Sequence, residues 1–178
     1  MNILLLGGNS PRHHGWVREL QAHLQDSGNE VTLHDYRHWE TGDENANVPY
    51  EVDAVSNLAN AQEHYMVIAK SVGTAIATRA IAQGKIHPSA CVFLGVPHSS
   101  LGKHLPDIRQ DLGALPPTIF VQNSADPLGS ADLVKEYVTQ NHPATWEFVA
   151  TPGETHDYSD FQLIADLAAR ASTLEQVK

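Results

Sequence analysis

The sequence predicts a single α/β domain over residues 1–178, a three-layer sandwich in which a mostly parallel six-stranded sheet lies between helices on both faces. Short apolar runs alternate with stretches whose apolar residues recur at helical spacing, which is typical of strand–helix–strand crossover units. The chain has 178 residues, of which 42% are hydrophobic and 18% are charged. These values suit one folded domain with a full core.

Six apolar runs, each closed by Gly, Pro or polar residues, predict the strands. They lie at 2–6, 30–34, 65–69, 90–95, 118–122 and 145–150. Five amphipathic stretches predict the long helices. They lie at 16–24, 51–62, 72–83, 131–141 and 161–174. The polar stretch 35–49 is predicted to be an exposed loop, and the proline-containing stretch 96–117 to be irregular with one short helix near 106–112.

Composition excludes several classes of function. The formal net charge of -10 argues against nucleic acid and anionic membranes as partners, because both are bound through basic surfaces. Cys91 is the single cysteine, so no internal disulfide is possible, and its apolar neighbours indicate a buried, inert thiol. The eleven histidines follow no metal-ligand spacing. We therefore expect no metal and no cofactor.

The N-terminal apolar run is too short for a signal peptide or a membrane span and has no basic leader, so the expected location is the cytoplasm. The expected partner is a small-molecule substrate, and the expected state is a monomer or a small homo-oligomer.

The segment Ala69-Lys70-Ser71-Val72-Gly73 joins a predicted strand directly to a predicted helix. It is a relaxed form of the G-x-S-x-G nucleophile elbow, in which a serine occupies a strained turn and the residues two before and two after it must be small. Ala69 and Gly73 meet that demand. The plainer interpretation is an ordinary strand-to-helix turn with a helix-capping serine, and the rest of the chain decides between the two.

A nucleophilic serine needs a base, and the base needs an orienting carboxylate. Asp126 follows the fifth predicted strand and His156 follows the sixth, so the chain order is Ser71, Asp126, His156. This is the order of a Ser-Asp-His triad at the carboxyl ends of successive strands. His156 would take the proton of Ser71, and Asp126 would hold the imidazole in position. The backbone N–H of Val72 would donate to the oxyanion.

A second oxyanion donor is expected in the loop after strand one, around Gly8 or Asn9. If strand two lies outside strand one and strand three on its other side, this loop and Ser71 flank the crevice where strand order reverses. The glycines of the loop also fit a simple turn, and both interpretations hold together.

Together these segments resemble the compact α/β-hydrolases similar to retinoblastoma-binding protein 9 and the YdeN-like proteins. The resemblance rests on Gly8-Asn9, His14-Gly15-Trp16, the elbow, Ser124-Ala125-Asp126-Pro127 and His156, and it covers nearly the whole chain. It implies a serine hydrolase fold that lacks the first two strands of larger relatives. The family elbow usually has His before the Ser and Gly two before it, where this chain has Lys70 and Ala69.

Lys70 changes the charge at the elbow and bears on the preference for acidic or neutral substrates, so it is a candidate substrate-binding residue. His98 and Ser99 lie in the irregular stretch after strand four and are the other candidates, together with Ser100 and His104. A polar surface loop explains these four residues equally well.

Three further residues carry weaker alternatives. Asp157 adjoins His156 and is a second candidate for the acid of the triad. Trp16 fits the core better than a substrate contact. Asp35 would bind a ribose in a dinucleotide-binding domain, but the loop after strand one lacks the G-x-G-x-x-G spacing.

The sequence thus predicts a carboxylesterase-like serine hydrolase for small or medium acyl esters. A binding or regulatory protein on the same scaffold stays open, as does a flavodoxin-like nucleotide-binding domain.

Overall fold

The computed structural model describes residues 1–104, 108–141 and 145–174, with the backbone alone at 102–104. Six strands form one sheet whose neighbours all pair in parallel, in the order β2-β1-β3-β4-β5-β6. They are β1 Asn2–Leu6, β2 Glu30–His34, β3 Tyr65–Lys70, β4 Cys91–Leu94, β5 Thr118–Asn123 and β6 Trp146–Thr151. The predicted fold class is confirmed, and β2 and β3 flank β1 as expected.

Helices follow the strands in alternation over the described ranges. They are α1 His14–Asp26, α2 Arg37–Thr41, α3 Val48–Ala59, α4 Val72–Ala82, α5 His98–His104, α6 Ile108–Asp111, α7 Ala131–Asn141 and α8 Phe161–Ala171. Short 3₁₀ turns at Pro11–His13 and Leu112–Ala114 precede α1 and follow α6. Within these ranges, none of the helices combines the length and apolar character that crossing a membrane requires.

The core lies on both faces of the sheet, which explains why the strands read as continuous apolar runs. Ile3 and Leu5 face a layer formed with α1 and α8, whereas Leu4 and Leu6 face a layer formed with α3, α4 and α7. All four side chains are fully buried. Cys91 is also fully buried, and that burial raises its pKa, as expected for an unreactive thiol.

Two connecting stretches are more ordered than predicted. The prediction of an exposed loop at 35–49 is wrong in part, because α2 forms there and Tyr36 and His38 are buried. Tyr36 donates to the carbonyl of Gly7, so a tertiary contact fixes what the local sequence leaves undecided. The stretch 96–117 contains α5 as well as α6, while Pro106, in the predicted short helix, lies outside the described residues.

Candidate active site

Ser71 lies between the last residue of β3 and the first residue of α4. Its backbone is at φ 55° and ψ −123°, a conformation that costs a non-glycine residue roughly 1–3 kcal/mol. The surrounding structure holds it there: Ser71 N donates to Leu94 O over 2.9 Å, and its carbonyl accepts from the N–H and the hydroxyl of Thr74. A strained turn therefore presents the serine at the carboxyl edge of the sheet.

Gly73 shows why the elbow needs a small residue two positions after the serine. A Cβ at this position would lie 2.7 Å from Gly7 O, 2.9 Å from Leu6 Cβ and 3.0 Å from the hydroxyl of Tyr36. Real Cβ atoms essentially never come that close to a backbone oxygen. The N-terminus of α4 therefore packs directly against the loop after β1, and the two candidate oxyanion segments meet.

His156 and Asp126 form the hydrogen-bonded pair that the sequence predicts. His156 Nδ1 donates to Asp126 Oδ2 over 2.7 Å, and the Asp126 side chain is fully buried. Because Nδ1 carries the proton, Nε2 of a neutral imidazole is the acceptor. Nε2 is buried and has no hydrogen-bond partner among the described residues. This atom is therefore available to take a proton.

Tyr158 holds the aspartate of this pair in place. Its hydroxyl donates to Asp126 Oδ2 over 2.7 Å and accepts from Asn123 N over 3.1 Å. Burial alone would raise the pKa of Asp126, but hydrogen bonds from His156, Tyr158 and the Leu128 N–H outweigh it and lower that pKa below its ordinary value. The carboxylate therefore stays ionised beside the imidazole.

Gly95 makes room for the histidine loop at the end of β4. Its φ is 60°, and a Cβ there would lie 2.6 Å from Tyr158 Cε2 and 2.9 Å from His156 Cε1. Both the backbone conformation and the contact require glycine. The rings of His156 and Tyr158 therefore pack directly onto the backbone of β4.

The loop after β1 is fixed on both sides of the peptide that joins Gly8 to Asn9. The carbonyl of Gly7 accepts from Tyr36, and the carbonyl of Asn9 accepts from His38 Nε2 at 2.5 Å and Trp39 Nε1 at 3.2 Å. These bonds turn the flanking carbonyls toward α2. The Asn9 N–H has no acceptor in the described part of the chain. Val72 is the first residue of α4, where the N–H also lacks an intrahelical acceptor.

A cavity of about 220 Å³ opens beside Ser71. Its lining is mostly apolar with a few amide and hydroxyl groups: Asn9, Asn45, Ala46, Val48, Ser71, Val72, Ala75, Pro97, Ser100, Leu101 and Leu128. The Asn9 side chain holds one wall in place, because its amide donates to Glu44 O and its oxygen accepts from Ala46 N. The cavity is smaller than the roughly 300–1,000 Å³ of pockets for drug-sized ligands, so it suits a small group.

The three candidate substrate-binding residues do not line this cavity. Lys70 is 1% exposed and is not among the residues that line the cavity. His98 packs its ring against Tyr137, and Ser99 is exposed, whereas the next residue, Ser100, does line the cavity. The side chain of His104 lies outside the described residues. Substrate contact by Lys70, His98 and Ser99 stays a prediction without support from this geometry.

The weaker alternatives take other positions. The Asp157 carboxylate is exposed and lies 3.7 Å from His13 Nε2, while Asp126 holds His156. Asp35 is exposed and paired with Arg18 at 2.6 Å, so surface ion pairing accounts for it. Trp16 is half-buried and donates from its indole to Tyr158 O. It belongs to the scaffold beneath the site, as expected.

Sequence reasoning missed His13 and Tyr158. A Cβ on Gly8 would lie 3.1 Å from His13 Nδ1 and 3.5 Å from Ser71 Cβ. His13 therefore lies next to the loop after β1, near Ser71. Burial and the neighbouring Lys70 lower its pKa. No spacing rule singles out His13, although its place in the loop between β1 and α1 is a weak signal. In the described residues, His, Cys, Asp and Glu side chains form no group of three that could hold a metal ion.

A family model described as an alpha/beta hydrolase domain matches residues 2–164. No curated protein sequence matches the chain. A YdeN-like hydrolase from Pectobacterium atrosepticum is 18% identical with a TM-score of 0.73, over 96% of this chain and 90% of its own length. A monoacylglycerol lipase from Paleococcus ferrophilus is 10% identical with a TM-score of 0.73, over 96% and 95%.

An uncharacterized protein from Bacillus cereus is 14% identical with a TM-score of 0.71 over 96% of this chain, which spans 59% of that protein's length. At such identities the likeness shows the shared fold.

Proposed function

We propose that this chain, which belongs to the α/β-hydrolase family, is a serine hydrolase of the carboxylesterase type acting on small acyl esters. The observation that carries the proposal is the strained turn at Ser71, placed at the same edge of the sheet as the hydrogen-bonded His156–Asp126 pair. An ordinary capping serine has no need of that strain, whereas a nucleophile needs the sharp turn to be presented at the cavity.

The proposed reaction proceeds through an acyl-enzyme. The Ser71 oxygen attacks the acyl carbon, the electron pair of the carbonyl moves onto its oxygen, and the serine proton passes to His156 Nε2. Asp126 accepts from Nδ1 and stabilises the imidazolium that forms. The N–H groups of Val72 and Asn9 donate to the oxyanion. His156 then protonates the leaving alkoxide, and water releases the acyl group by the same steps.

The cavity suggests short acyl chains. It holds about 220 Å³, and a neighbouring apolar crevice, which shares Ala75 and Leu101 with it, has room for only about 10 Å³. Acetyl and butyryl esters fit the open part, whereas an octanoyl chain would need the crevice to widen. We therefore expect turnover of p-nitrophenyl acetate and butyrate to exceed that of the octanoate.

Fluorophosphonate labelling tests the nucleophile directly. Wild type is compared with Ser71→Ala, His156→Ala and, as a matched control, Ser100→Ala, since Ser100 also lines the cavity. Labelling and ester turnover should fall by on the order of 1,000-fold or more in the first two variants, and labelling should persist in the control.

Labelling that survives Ser71→Ala would overturn the assignment of the nucleophile. A well-folded wild type that neither labels nor turns over ester would favour a binding or regulatory protein on this scaffold.

A further inference from the structure

Lys70 is a buried cation beside the proposed oxyanion loop. It follows Met66 and Ile68 in the alternation of β3, so its side chain enters the layer of α1 and α8 rather than the substrate cavity. Its Nζ lies 5.2 Å from the centre of the Trp16 ring. A Cβ on Gly8 would be 3.8 Å from Nζ and 3.5 Å from Ser71 Cβ. The ammonium and the nucleophile therefore lie close to the same glycine.

Among the described residues, this ammonium has no hydrogen-bond partner. Lys70 is 1% exposed, and its Nζ is buried without an acceptor in the described part of the chain. An ammonium carries three donors, and burying it unpaired is costly. A hydrophobic side chain between Ile68 and Trp16 would avoid that cost, so the packing of this layer does not explain a lysine here.

Among the described residues, three titratable side chains interact electrostatically with Lys70. His13 approaches from the turn before α1, and its pKa is lowered in part by Lys70. Asp126, after β5, and Asp157, before α8, attract the ammonium, but neither makes a hydrogen bond with it. Asp126 already accepts from His156, Tyr158 and Leu128. Because neither aspartate binds the ammonium directly, its positive charge can still stabilise a further negative charge beside Gly8.

We propose that the Lys70 ammonium, acting from its buried position beside Gly8, stabilises the negative charge that develops on the carbonyl oxygen when Ser71 attacks the ester. The inference rests on the proposed hydrolase function. Lys70 forms no bond to substrate and takes no proton from it. It supplies a fixed positive charge in a place that excludes water, where such a field is strong and needs no reorganisation during the reaction.

The proposal has a pH signature. Burial lowers the pKa of Lys70 to about 8, so the charge is lost in the mildly alkaline range. The lowered pKa of Asp126 keeps that carboxylate ionised there, and the pKa of His13 is lowered, away from this range. Burial raises the pKa of Tyr158, the phenol beside Asp126. Esterase activity should therefore fall as pH rises above about 8, with Lys70 as the titrating group.

The test compares wild type with Lys70→Met, which removes the charge, and Lys70→Arg, which keeps it at alkaline pH. Lys85→Met is the matched control, since Lys85 is a partly exposed lysine paired with Asp53. The readouts are kcat and KM for p-nitrophenyl acetate from pH 6 to 9.5, with Ser71→Ala as the blank for spontaneous hydrolysis. Inhibition by a trifluoromethyl ketone, which forms an anionic adduct with an active serine, is measured on the same samples.

Lys70→Met should lower kcat about tenfold at pH 7, leave KM nearly unchanged, weaken the ketone by the same factor and abolish the alkaline fall. Lys70→Arg should keep kcat and also lose the fall. The Lys85→Met control should behave as wild type. A merely structural role would not change kcat and ketone affinity in parallel while leaving KM alone.

The inference is overturned if wild-type kcat is flat from pH 7 to 9.5, which needs no variant at all. It is also overturned if Lys70→Met keeps the kcat, the ketone affinity and the alkaline fall of wild type. Either result leaves the proposed function standing, provided that turnover still depends on Ser71. Turnover that does not depend on Ser71 removes the proposed function and this inference with it.

Discussion

Replacing Lys70 by Met should make the protein more stable while it lowers the proposed esterase activity. The two side chains have similar length, and the methionine thioether would pack against Trp16, where the ammonium now lies at 5.2 Å from the ring centre. Methionine adapts well to such contacts with aromatic rings. The substitution removes a buried charge that has no hydrogen-bond partner among the described residues. The free energy of unfolding should therefore rise.

The magnitude follows from the pKa of Lys70, which burial lowers from 10.5 to about 8. Each pH unit corresponds to about 1.4 kcal/mol, so keeping the folded protein charged at pH 7 costs about 3 kcal/mol. The cation–π contact between Lys70 and Trp16 offsets about 1 kcal/mol of this cost. Lys70→Met should therefore stabilise the protein at pH 7 by about 2 kcal/mol.

The sign of the pH dependence can be worked out from the same pKa values. Between about pH 8 and 10.5 the folded chain has lost the Lys70 proton while the unfolded chain keeps it. The unfolded state then binds more protons, so the stability of the wild type rises with pH relative to the variant. The advantage of Lys70→Met should shrink by about 2 kcal/mol between pH 7 and pH 9.5.

Urea unfolding at pH 7 and pH 9.5, followed by circular dichroism, measures both quantities, and equal m-values for the two proteins license the comparison. Lys85→Met serves as the control, because a partly exposed ion pair contributes no more than about 1 kcal/mol. A Lys70→Met protein that is less stable than wild type at pH 7 would refute the reasoning. So would a stability difference that stays constant with pH.

Three other substitutions test the supporting geometry. Tyr158→Phe should cost about 1–3 kcal/mol of stability and raise the pKa of Asp126, since a donor to a buried carboxylate is lost. Urea unfolding measures the stability, and the acid side of the pH–activity profile reports the pKa. Gly95→Ala should cost roughly 2–4 kcal/mol and reduce kcat, because its Cβ would lie 2.9 Å from His156 Cε1; an unchanged kcat would contradict it. Asn9→Ala should raise KM more than it lowers kcat, because the segment of the cavity wall at Glu44 and Ala46 loses its hydrogen bonds to Asn9. Steady-state kinetics with butyrate esters measures both constants.

The sheet was predictable because its strands are buried on both faces and therefore read as apolar runs. The order of β1, β2 and β3 followed from crossover rules rather than from any single residue. Ser71, Asp126 and His156 could be selected together because each follows a strand, and a parallel sheet brings its carboxyl ends to one edge. None of the three residues could have been identified as a candidate from its own local sequence alone.

The parts that sequence reasoning missed depend on contacts between distant residues. Tyr158 supports Asp126 across 32 positions. Tyr36, just before α2, and His38, within it, hold the carbonyls of Gly7 and Asn9 across 29 positions each. Local secondary-structure propensity depends on residues that are close in sequence, so it cannot predict such distant partners. Lys70 is different, because the alternation of β3 already places it on the face of Met66 and Ile68. That pattern indicates a position away from the substrate cavity.

Two local costs in this chain fall at adjacent residues. Ser71 keeps a backbone conformation that costs roughly 1–3 kcal/mol, and Lys70 keeps a buried charge that costs about 3 kcal/mol. A relaxed turn and an apolar side chain would each be more stable. Elsewhere in β3 the residues obey the ordinary rules of a buried strand, with every side chain from Tyr65 to Ala69 in the core. Conflicts between local stability and structure are expected at functional sites. Because both occur beside the Gly8 loop, the proposed function explains them together: a nucleophile presented at the cavity and a positive field for the charge that its attack creates.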